Sequence, residues 1–185
     1  MVGNQSKQGL MKMLEIDSIN ELNGGELAAT IVAKLKENNL KLTFAESCTG
    51  GLASSGIVDV PGASEVFWGS MVSYDNSVKS NNLKVSKDVL DNFGAVSHEC
   101  ACAMAFGAKN VFDTDVAISI TGIAGPGGGT PDKPVGTVFI GYADKFGVDS
   151  TRIFTEGDRS TIRRITCLKA YAFLLNKLEE RGLIK

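Results

Sequence analysis

The sequence predicts an α/β protein, a three-layer α/β/α sandwich whose mixed, mostly parallel five-stranded sheet lies between two layers of helices. Apolar runs such as residues 116–121 are nearly continuous, as expected for strands that are covered on both faces. Segments with apolar residues at helical spacing alternate with these runs along most of the chain. A short loop at residues 144–147 joins the last two runs, which predicts that they pair as an antiparallel hairpin.

The elements follow in a regular order. We predict strands at residues 41–45, 67–74, 116–121, 135–143 and 148–155. We predict helices at residues 27–35, 52–60, 77–83, 86–91, 98–108 and 160–181, and the serines Ser86 and Ser97 are expected to cap the fourth and fifth. Residues 25–185 are therefore expected to form a single domain, preceded by a tail or leader at residues 1–24.

Composition and charge exclude several classes of function. The 185 residues suffice for one domain with a sizeable core, and 43% are hydrophobic against 22% charged, which is typical of globular proteins. The net charge is −2 and no long basic stripe is present, so nucleic-acid binding through phosphates is not expected. No apolar run is long enough for a membrane span, and residues 1–8 lack the apolar core of a signal peptide. We therefore expect a cytoplasmic protein without a membrane partner.

Cysteine and histidine usage argues against metal sites and disulfides. The four cysteines are Cys48, Cys100, Cys102 and Cys167, and no CxxC pair occurs. His98 is the only histidine, so a zinc site is not expected. Buried, unpaired thiols are the simplest interpretation of most of these cysteines. We predict neither a metal nor another cofactor.

The stretch Ala-Glu-Ser-Cys-Thr-Gly-Gly at residues 45–51 lies where the first predicted strand meets the second helix. Ser47 would stand at the end of the sheet, beside free backbone N–H groups at the start of the helix. Glycines at the end of this stretch allow a ligand to approach the backbone closely. An alternative is that Ser47 or Thr49 simply caps the helix. The candidate binding residues beside the nucleophile Ser47 are Glu46, Cys48, Thr49, Gly50 and Gly51.

A glycine-rich loop follows the third predicted strand, and its backbone could enclose a phosphate or a ribose. No Gly-Lys-Ser/Thr follows the glycines, which excludes a Walker A loop. Pro131 and Pro134 stand where a Rossmann fingerprint needs a helix. A flexible surface loop is the alternative. The candidate binding residues are Thr121, Gly122, Gly125 and Gly127.

Two further clusters carry polar and titratable groups. Tyr74 ends the second predicted strand and Lys79 lies just beyond it, with Asn76 between them. Lys79 is a credible general base only if its pKa falls from about 10.4 to roughly 7–8, and a solvated lysine is the alternative. Arg159 and Arg163 lie one turn apart at the start of the last helix, where they could clamp an anion. The alternative is a surface pair that balances acidic residues.

Familiar serine-hydrolase layouts are missing from the sequence. Ser47 has no G-x-S-x-G around it, and no S-x-x-K occurs. A Ser–His–Asp triad would require His98, and nothing near His98 supports that role. Lysine is therefore the remaining plausible base.

Taken together, the motifs resemble those of the CinA C-terminal-domain family, the nicotinamide-nucleotide amidases. The resemblance spans about residues 26–180. It rests on five motifs in order: AESCTGG at 45–51, YDNSVK at 74–79, TGIAGPGG at 121–128, KPVGTV at 133–138 and GDRSTIR at 157–163.

The resemblance implies hydrolysis of the carboxamide of nicotinamide mononucleotide to nicotinate mononucleotide and ammonia. It implies that Ser47 is the nucleophile and that Lys79 and Tyr74 handle protons. It also implies the three-layer sandwich, an amidase step without a metal, and a homo-oligomer, most simply a dimer. Larger family members carry an extra N-terminal domain, for which the roughly 24 residues before the first predicted helix leave no room.

Two other functions remain open from the sequence. A motif match does not prove turnover, so the chain is alternatively a catalytically degenerate nucleotide-binding protein of the same fold. A cysteine enzyme that uses Cys48 is the other alternative. The substrate phosphate has candidate partners in Arg159, Arg163 and the glycine-rich loop, and the sequence does not decide among them.

Overall fold

Helices and strands alternate along residues 24–185, which are the residues that this computed structural model describes. The predicted tail at residues 1–24 lies outside the described residues, except for Gly24, which begins the first helix. The strands are β1 (Leu42–Glu46), β2 (Phe67–Val72), β3 (Val116–Gly122), β4 (Thr137–Asp144) and β5 (Gly147–Phe154). The helices are α1 (Gly24–Glu37), α2 (Leu52–Val58), α3 (Asn76–Leu83), α4 (Lys87–Asn92), α5 (His98–Phe112) and α6 (Arg159–Glu180).

Each predicted element is present, and the bounds differ by a few residues at most. β2 ends at Val72 rather than at residue 74, because the Asp75 side chain accepts a hydrogen bond from the Ser77 N–H and starts α3. β4 begins at Thr137 rather than at residue 135, because Gly136 has a φ of 98°, which is incompatible with a strand. Ser86 and Ser97 cap α4 and α5 as predicted.

The sheet has the strand order β2-β1-β3-β4-β5. β1 is parallel to both of its neighbours, whereas β4 is antiparallel to β3 and to β5. Four of the five strands therefore point the same way, which confirms the mixed, mostly parallel sheet. The carboxyl ends of β1, β2, β3 and β5 consequently meet along one edge, and ligands bind at such an edge in open α/β sheets.

Helices cover both faces of the sheet, which confirms the three-layer sandwich. Alternate residues of β1 face opposite sides: Phe44 packs in the core under α1, α2 and α6, and Ala45 packs in the core under α3 and α5. Burial on both faces explains why every residue of β1 and β4 is buried. Among the described helices, none combines the length and the apolar character that crossing a bilayer requires.

Candidate active site

The candidate site lies where β1, β2 and β3 end. Ser47 directly follows β1, and its backbone N–H donates to the Ile120 carbonyl of β3 over 2.9 Å. Beyond β2, Ser73 donates its N–H to the Glu46 carbonyl over 2.7 Å, which keeps the chain beside β1. The sheet thus fixes the backbone on both sides of Ser47.

A tight turn carries Ser47 toward α2. The Gly50 N–H donates to the Ser47 carbonyl over 3.1 Å, and Gly51 is the N-cap of α2 with a left-handed φ of 92°. This N-cap residue provides no side-chain hydrogen bond to the helix. The interpretation of Ser47 or Thr49 as a simple helix cap is therefore wrong, and the Ser47 hydroxyl is available for another role.

Lys79 reaches Ser47 from helix α3. Its Nζ lies 3.2 Å from Ser47 Oγ, 2.7 Å from the Ser73 carbonyl oxygen and 3.1 Å from the Tyr74 carbonyl oxygen. Lys79 is only 1% exposed and Ser47 is 9% exposed. The interpretation of Lys79 as a solvated lysine is therefore wrong, because its amine is enclosed by protein atoms.

Burial lowers the pKa of Lys79 below the ordinary value for lysine, because removal from water disfavours the charged ammonium. Electrostatic interactions with Cys100 and with the Asp75 carboxylate oppose this shift without cancelling it. A neutral amine has two N–H donors and one lone pair. The two carbonyls can accept both donors, which leaves the lone pair for the Ser47 hydroxyl.

The Tyr74 side chain is not hydrogen-bonded to this amine. Its hydroxyl accepts a hydrogen bond from Arg159 Nη2 over 3.0 Å, and the residue is 61% exposed. Tyr74 contacts Lys79 through its backbone carbonyl, which any residue type would supply. The geometry thus connects the phenol to the arginine at the start of α6 rather than to the lysine.

The two arginines hold different parts of the site. Arg159 also donates from Nη1 to the Gly125 carbonyl over 2.7 Å, whereas Arg163 donates from Nη2 to the Thr49 carbonyl over 2.6 Å. A guanidinium has five N–H donors, so each arginine keeps donors beyond those in these contacts. Arg159 therefore tethers the glycine-rich loop, and Arg163 tethers the turn that carries the serine.

Cys48 and Thr49 are buried beside the nucleophile. Burial raises the pKa of the Cys48 thiol to about 12, so the thiol is protonated near neutral pH. Thr49 is fully buried, and its hydroxyl has no hydrogen-bond partner within residues 24–185. Over the same residues, the Cys48 N–H donates to no acceptor on another residue. The protonated thiol disfavours a cysteine nucleophile, and the Cys48 N–H is a candidate donor for a ligand.

Glu46 does not face a ligand space. The residue is fully buried, and its carboxylate accepts hydrogen bonds from the backbone N–H groups of Gly51, Ala53 and Ser54. These are the donors at the start of α2 that the sequence suggested for a bound anion. Glu46 directly precedes Ser47 in the chain, but its carboxylate is hydrogen-bonded to the start of α2.

The other predicted binding residues divide into two groups. Thr121 is buried, and its hydroxyl donates to the Ala95 carbonyl over 2.7 Å, so that hydroxyl is already used within the protein. Gly122 is confined by the β4 backbone, because a Cβ there would lie 2.7 Å from the Thr137 carbonyl oxygen. Gly127 and Asn76 are exposed. Only the exposed residues of this set are free to contact a ligand directly.

Sequence reasoning missed Ser73. Its carbonyl oxygen makes the shortest of the three contacts with Lys79 Nζ, at 2.7 Å. A backbone carbonyl is common to all residue types, so no pattern of side chains indicates this role. The available signal was positional, because Ser73 lies near the end of the strand predicted at residues 67–74, beside the strand that precedes Ser47.

Comparisons of this chain with known proteins agree on one protein family. The model of the CinA C-terminal domain matches residues 25–178. CinA-like proteins of Fervidobacterium nodosum and Thermotoga neapolitana are 44% and 45% identical over 169 and 161 residues, which cover 91% and 87% of this chain. The same alignments cover 40% and 39% of those relatives, so the chain spans about two fifths of their length.

Solved structures agree with this match. The competence/damage inducible protein CihA from Agrobacterium tumefaciens is 36% identical, with a TM-score of 0.81 over 85% of this chain and 97% of that protein. A competence-damaged protein (CinA) superfamily protein from Escherichia coli is 32% identical, with a TM-score of 0.82 over 89% of this chain and 98% of that protein. The fold of residues 24–185 is therefore that of these structures.

Proposed function

Because this chain belongs to the CinA C-terminal domain family, we propose that it hydrolyses the carboxamide of nicotinamide mononucleotide to nicotinate mononucleotide and ammonia. The substrate comes from the motif resemblance, and the geometry at Ser47 supports the reaction class. The observation that carries the proposal is the buried Lys79 amine, which lies 3.2 Å from Ser47 Oγ while two carbonyls hold it in place. Amide hydrolysis by a serine requires such a base.

The first step is attack of Ser47 Oγ on the carboxamide carbon. Neutral Lys79 accepts the hydroxyl proton as the new C–O bond forms, and becomes an ammonium. The lowered pKa of Lys79 makes the neutral form accessible at a lower pH than for a solvated lysine. The N–H groups of Cys48 and Thr49, which donate to no other described residue, donate to the oxyanion of the tetrahedral intermediate.

The second step is collapse of this intermediate. The C–N bond breaks as Lys79 returns its proton to the departing nitrogen, which leaves as ammonia. A water molecule then attacks the ester on Ser47, again with neutral Lys79 as the base. Proton return to Ser47 Oγ releases nicotinate mononucleotide, so one water is consumed for each ammonia released.

The substrate phosphate is bound by the arginines at the start of α6. From the same helix, Arg163 contacts the Ser47 turn and Arg159 contacts the glycine-rich loop, and both have donors left for an anion. The exposed Gly127 backbone of the glycine-rich loop is the other candidate contact. A phosphate held there would orient the pyridine ring toward Ser47.

The protein acts as a homodimer in this proposal. β2 is an edge strand of the sheet, and its residues Trp68 and Val72 are 54% and 47% exposed. Large apolar side chains on an unpaired edge strand are unfavourable in water, and a second copy would cover them.

Incubation of the purified protein with nicotinamide mononucleotide, followed by measurement of ammonia, tests the function. We expect ammonia release in proportion to enzyme, and none with Ser47→Ala at unchanged thermal stability. Saturable binding of the nucleotide without ammonia release would instead support the degenerate nucleotide-binding alternative. If the protein neither binds nor hydrolyses nicotinamide mononucleotide, the proposed substrate is wrong.

A further inference from the structure

Glu46 makes an unusual set of hydrogen bonds directly before the nucleophile. Its Oε2 accepts from the Gly51 N–H over 3.0 Å and from the Ala53 N–H over 3.2 Å. Its Oε1 accepts from the Ser54 N–H over 2.8 Å and from the Ser54 hydroxyl. A fully buried carboxylate with four donors is well compensated for its removal from water.

This carboxylate replaces a conventional helix cap. The first N–H groups of a helix need acceptors, and the N-cap residue Gly51 has no side chain to provide one. Glu46 provides them from the last position of β1, on the far side of the Ser47 turn. The end of β1 and the start of α2 are thereby joined across the turn, which leaves Ser47 little freedom to move.

The same hydrogen bonds restrict where an oxyanion can bind. The N–H groups of Gly51, Ala53 and Ser54 point at Glu46 and are not available to a substrate oxygen. The Gly50 N–H is also used, since it donates to the Ser47 carbonyl. Of the N–H groups in this turn, those of Cys48 and Thr49 donate to no acceptor on another described residue.

We propose that Glu46 is a positioning residue that holds Ser47 Oγ against Lys79 Nζ through its hydrogen bonds to α2. This inference rests on the proposed serine mechanism, and it departs from the sequence-based prediction that Glu46 contacts substrate. Because the carboxylate acts through the backbone of the turn, its loss displaces Ser47 without removing a substrate contact. The effect should therefore fall on kcat and on serine reactivity, not on KM.

The experiment compares Glu46→Gln with the matched control Glu65→Gln, which removes an exposed carboxylate that pairs with Lys36. Gln keeps the size of Glu but presents an NH2 group to N–H donors, so it cannot accept all four hydrogen bonds. Ser54→Ala removes one of the four and serves if Glu46→Gln does not fold. Each variant is measured per folded molecule for kcat, for KM and for the rate at which a fluorophosphonate labels Ser47.

We expect Glu46→Gln to lower kcat and the labelling rate by about tenfold or more, as for an ångström-scale misplacement, while KM changes by less than about twofold. Ser54→Ala should lie between wild type and Glu46→Gln. Unchanged kcat and labelling per folded molecule, with only a lower Tm, would overturn the inference and leave a purely structural role. A rise in KM alone would also overturn it, because it would return Glu46 to substrate binding.

The labelling assay separates this inference from the proposed function, because it needs no nucleotide. If wild type is labelled at Ser47 but releases no ammonia, slower labelling of Glu46→Gln still supports the positioning role while the amidase function fails. If wild type releases ammonia and Glu46→Gln is fully active, the function stands and the positioning role fails. A Ser47 that is neither labelled nor needed for turnover would overturn both.

Discussion

Replacement of Lys79 by methionine tests the proposed mechanism most directly. Methionine is unbranched and apolar, so it fits the buried channel of the lysine stem. The substitution removes the amine that lies 3.2 Å from Ser47 Oγ and, among residues 24–185, is the one group placed to accept its proton. General base catalysis contributes roughly 10²- to 10⁴-fold, which corresponds to about 2.7–5.5 kcal/mol of transition-state stabilisation. We therefore expect a loss of kcat within this range.

Stability should change much less than activity. Without the amine, the carbonyls of Ser73 and Tyr74 lose a donor, which costs about 1–3 kcal/mol for each acceptor that remains unsatisfied. Removal of a buried amine that is costly to desolvate offsets part of this loss. Thermal unfolding measures the balance, and the exposed Lys87→Met on α4 provides the matched control, with wild-type kcat and Tm expected.

The pH dependence gives an independent check. Only the neutral amine accepts a proton, and burial lowers the pKa of Lys79, so the rate should rise with pH through an ionisation below the ordinary 10.5. This ionisation should disappear in Lys79→Met. Ser47→Ala combined with Lys79→Met should be scarcely worse than either single variant, because the two groups act as a unit. Retention by Lys79→Met of more than about a tenth of wild-type kcat, a loss under roughly 1.4 kcal/mol, would refute lysine as the base.

Three further predictions follow from the site and the surface. In steady-state kinetics, Arg163→Ala should raise KM more than it lowers kcat, with a loss of about 1.5–3 kcal/mol as for a charged hydrogen bond. Unchanged KM in both Arg159→Ala and Arg163→Ala would move the phosphate to the glycine-rich loop. Cys48→Ala should stay active. Iodoacetamide should inactivate wild type slowly at neutral pH, because the thiol pKa of about 12 leaves little thiolate. Rapid inactivation of wild type that is absent in Cys48→Ala would restore the cysteine mechanism. Trp68→Glu should convert a dimer to a monomer in light scattering, and a wild-type monomer at high micromolar concentration would contradict the proposed assembly.

Sequence patterns over a few neighbouring residues were sufficient to predict most of the fold. Ser86 and Ser97 were predicted as caps from residue type and position, and both cap helices as expected. The short loop between Asp144 and Gly147 fixed the antiparallel pairing of β4 and β5, because so few residues permit only a hairpin. Boundaries were less accurate where the backbone takes an unusual conformation, as at Gly136.

The sequence also predicted Ser47 and Lys79 as candidate site residues, and the structure brings them into contact. The sequence did not indicate the directions in which other side chains of the site point. Glu46 and Tyr74 were both assigned to the site from their place in motifs. The structure turns the Glu46 carboxylate into α2 and pairs the Tyr74 hydroxyl with Arg159. Both orientations depend on partners that are distant in sequence or that belong to the backbone.

By itself, then, the sequence determined the layers, the strands and the residue types at the end of the sheet, because these follow from hydrophobic periodicity and from turn and cap chemistry over a few residues. The tertiary structure alone decided which groups act together. Lys79 and Ser47 are 32 positions apart, and their contact requires β1 and β2 to be parallel neighbours. The burial that lowers the pKa of Lys79 is likewise a property of the packed protein, since it arises only when α3 and the sheet exclude water from the amine.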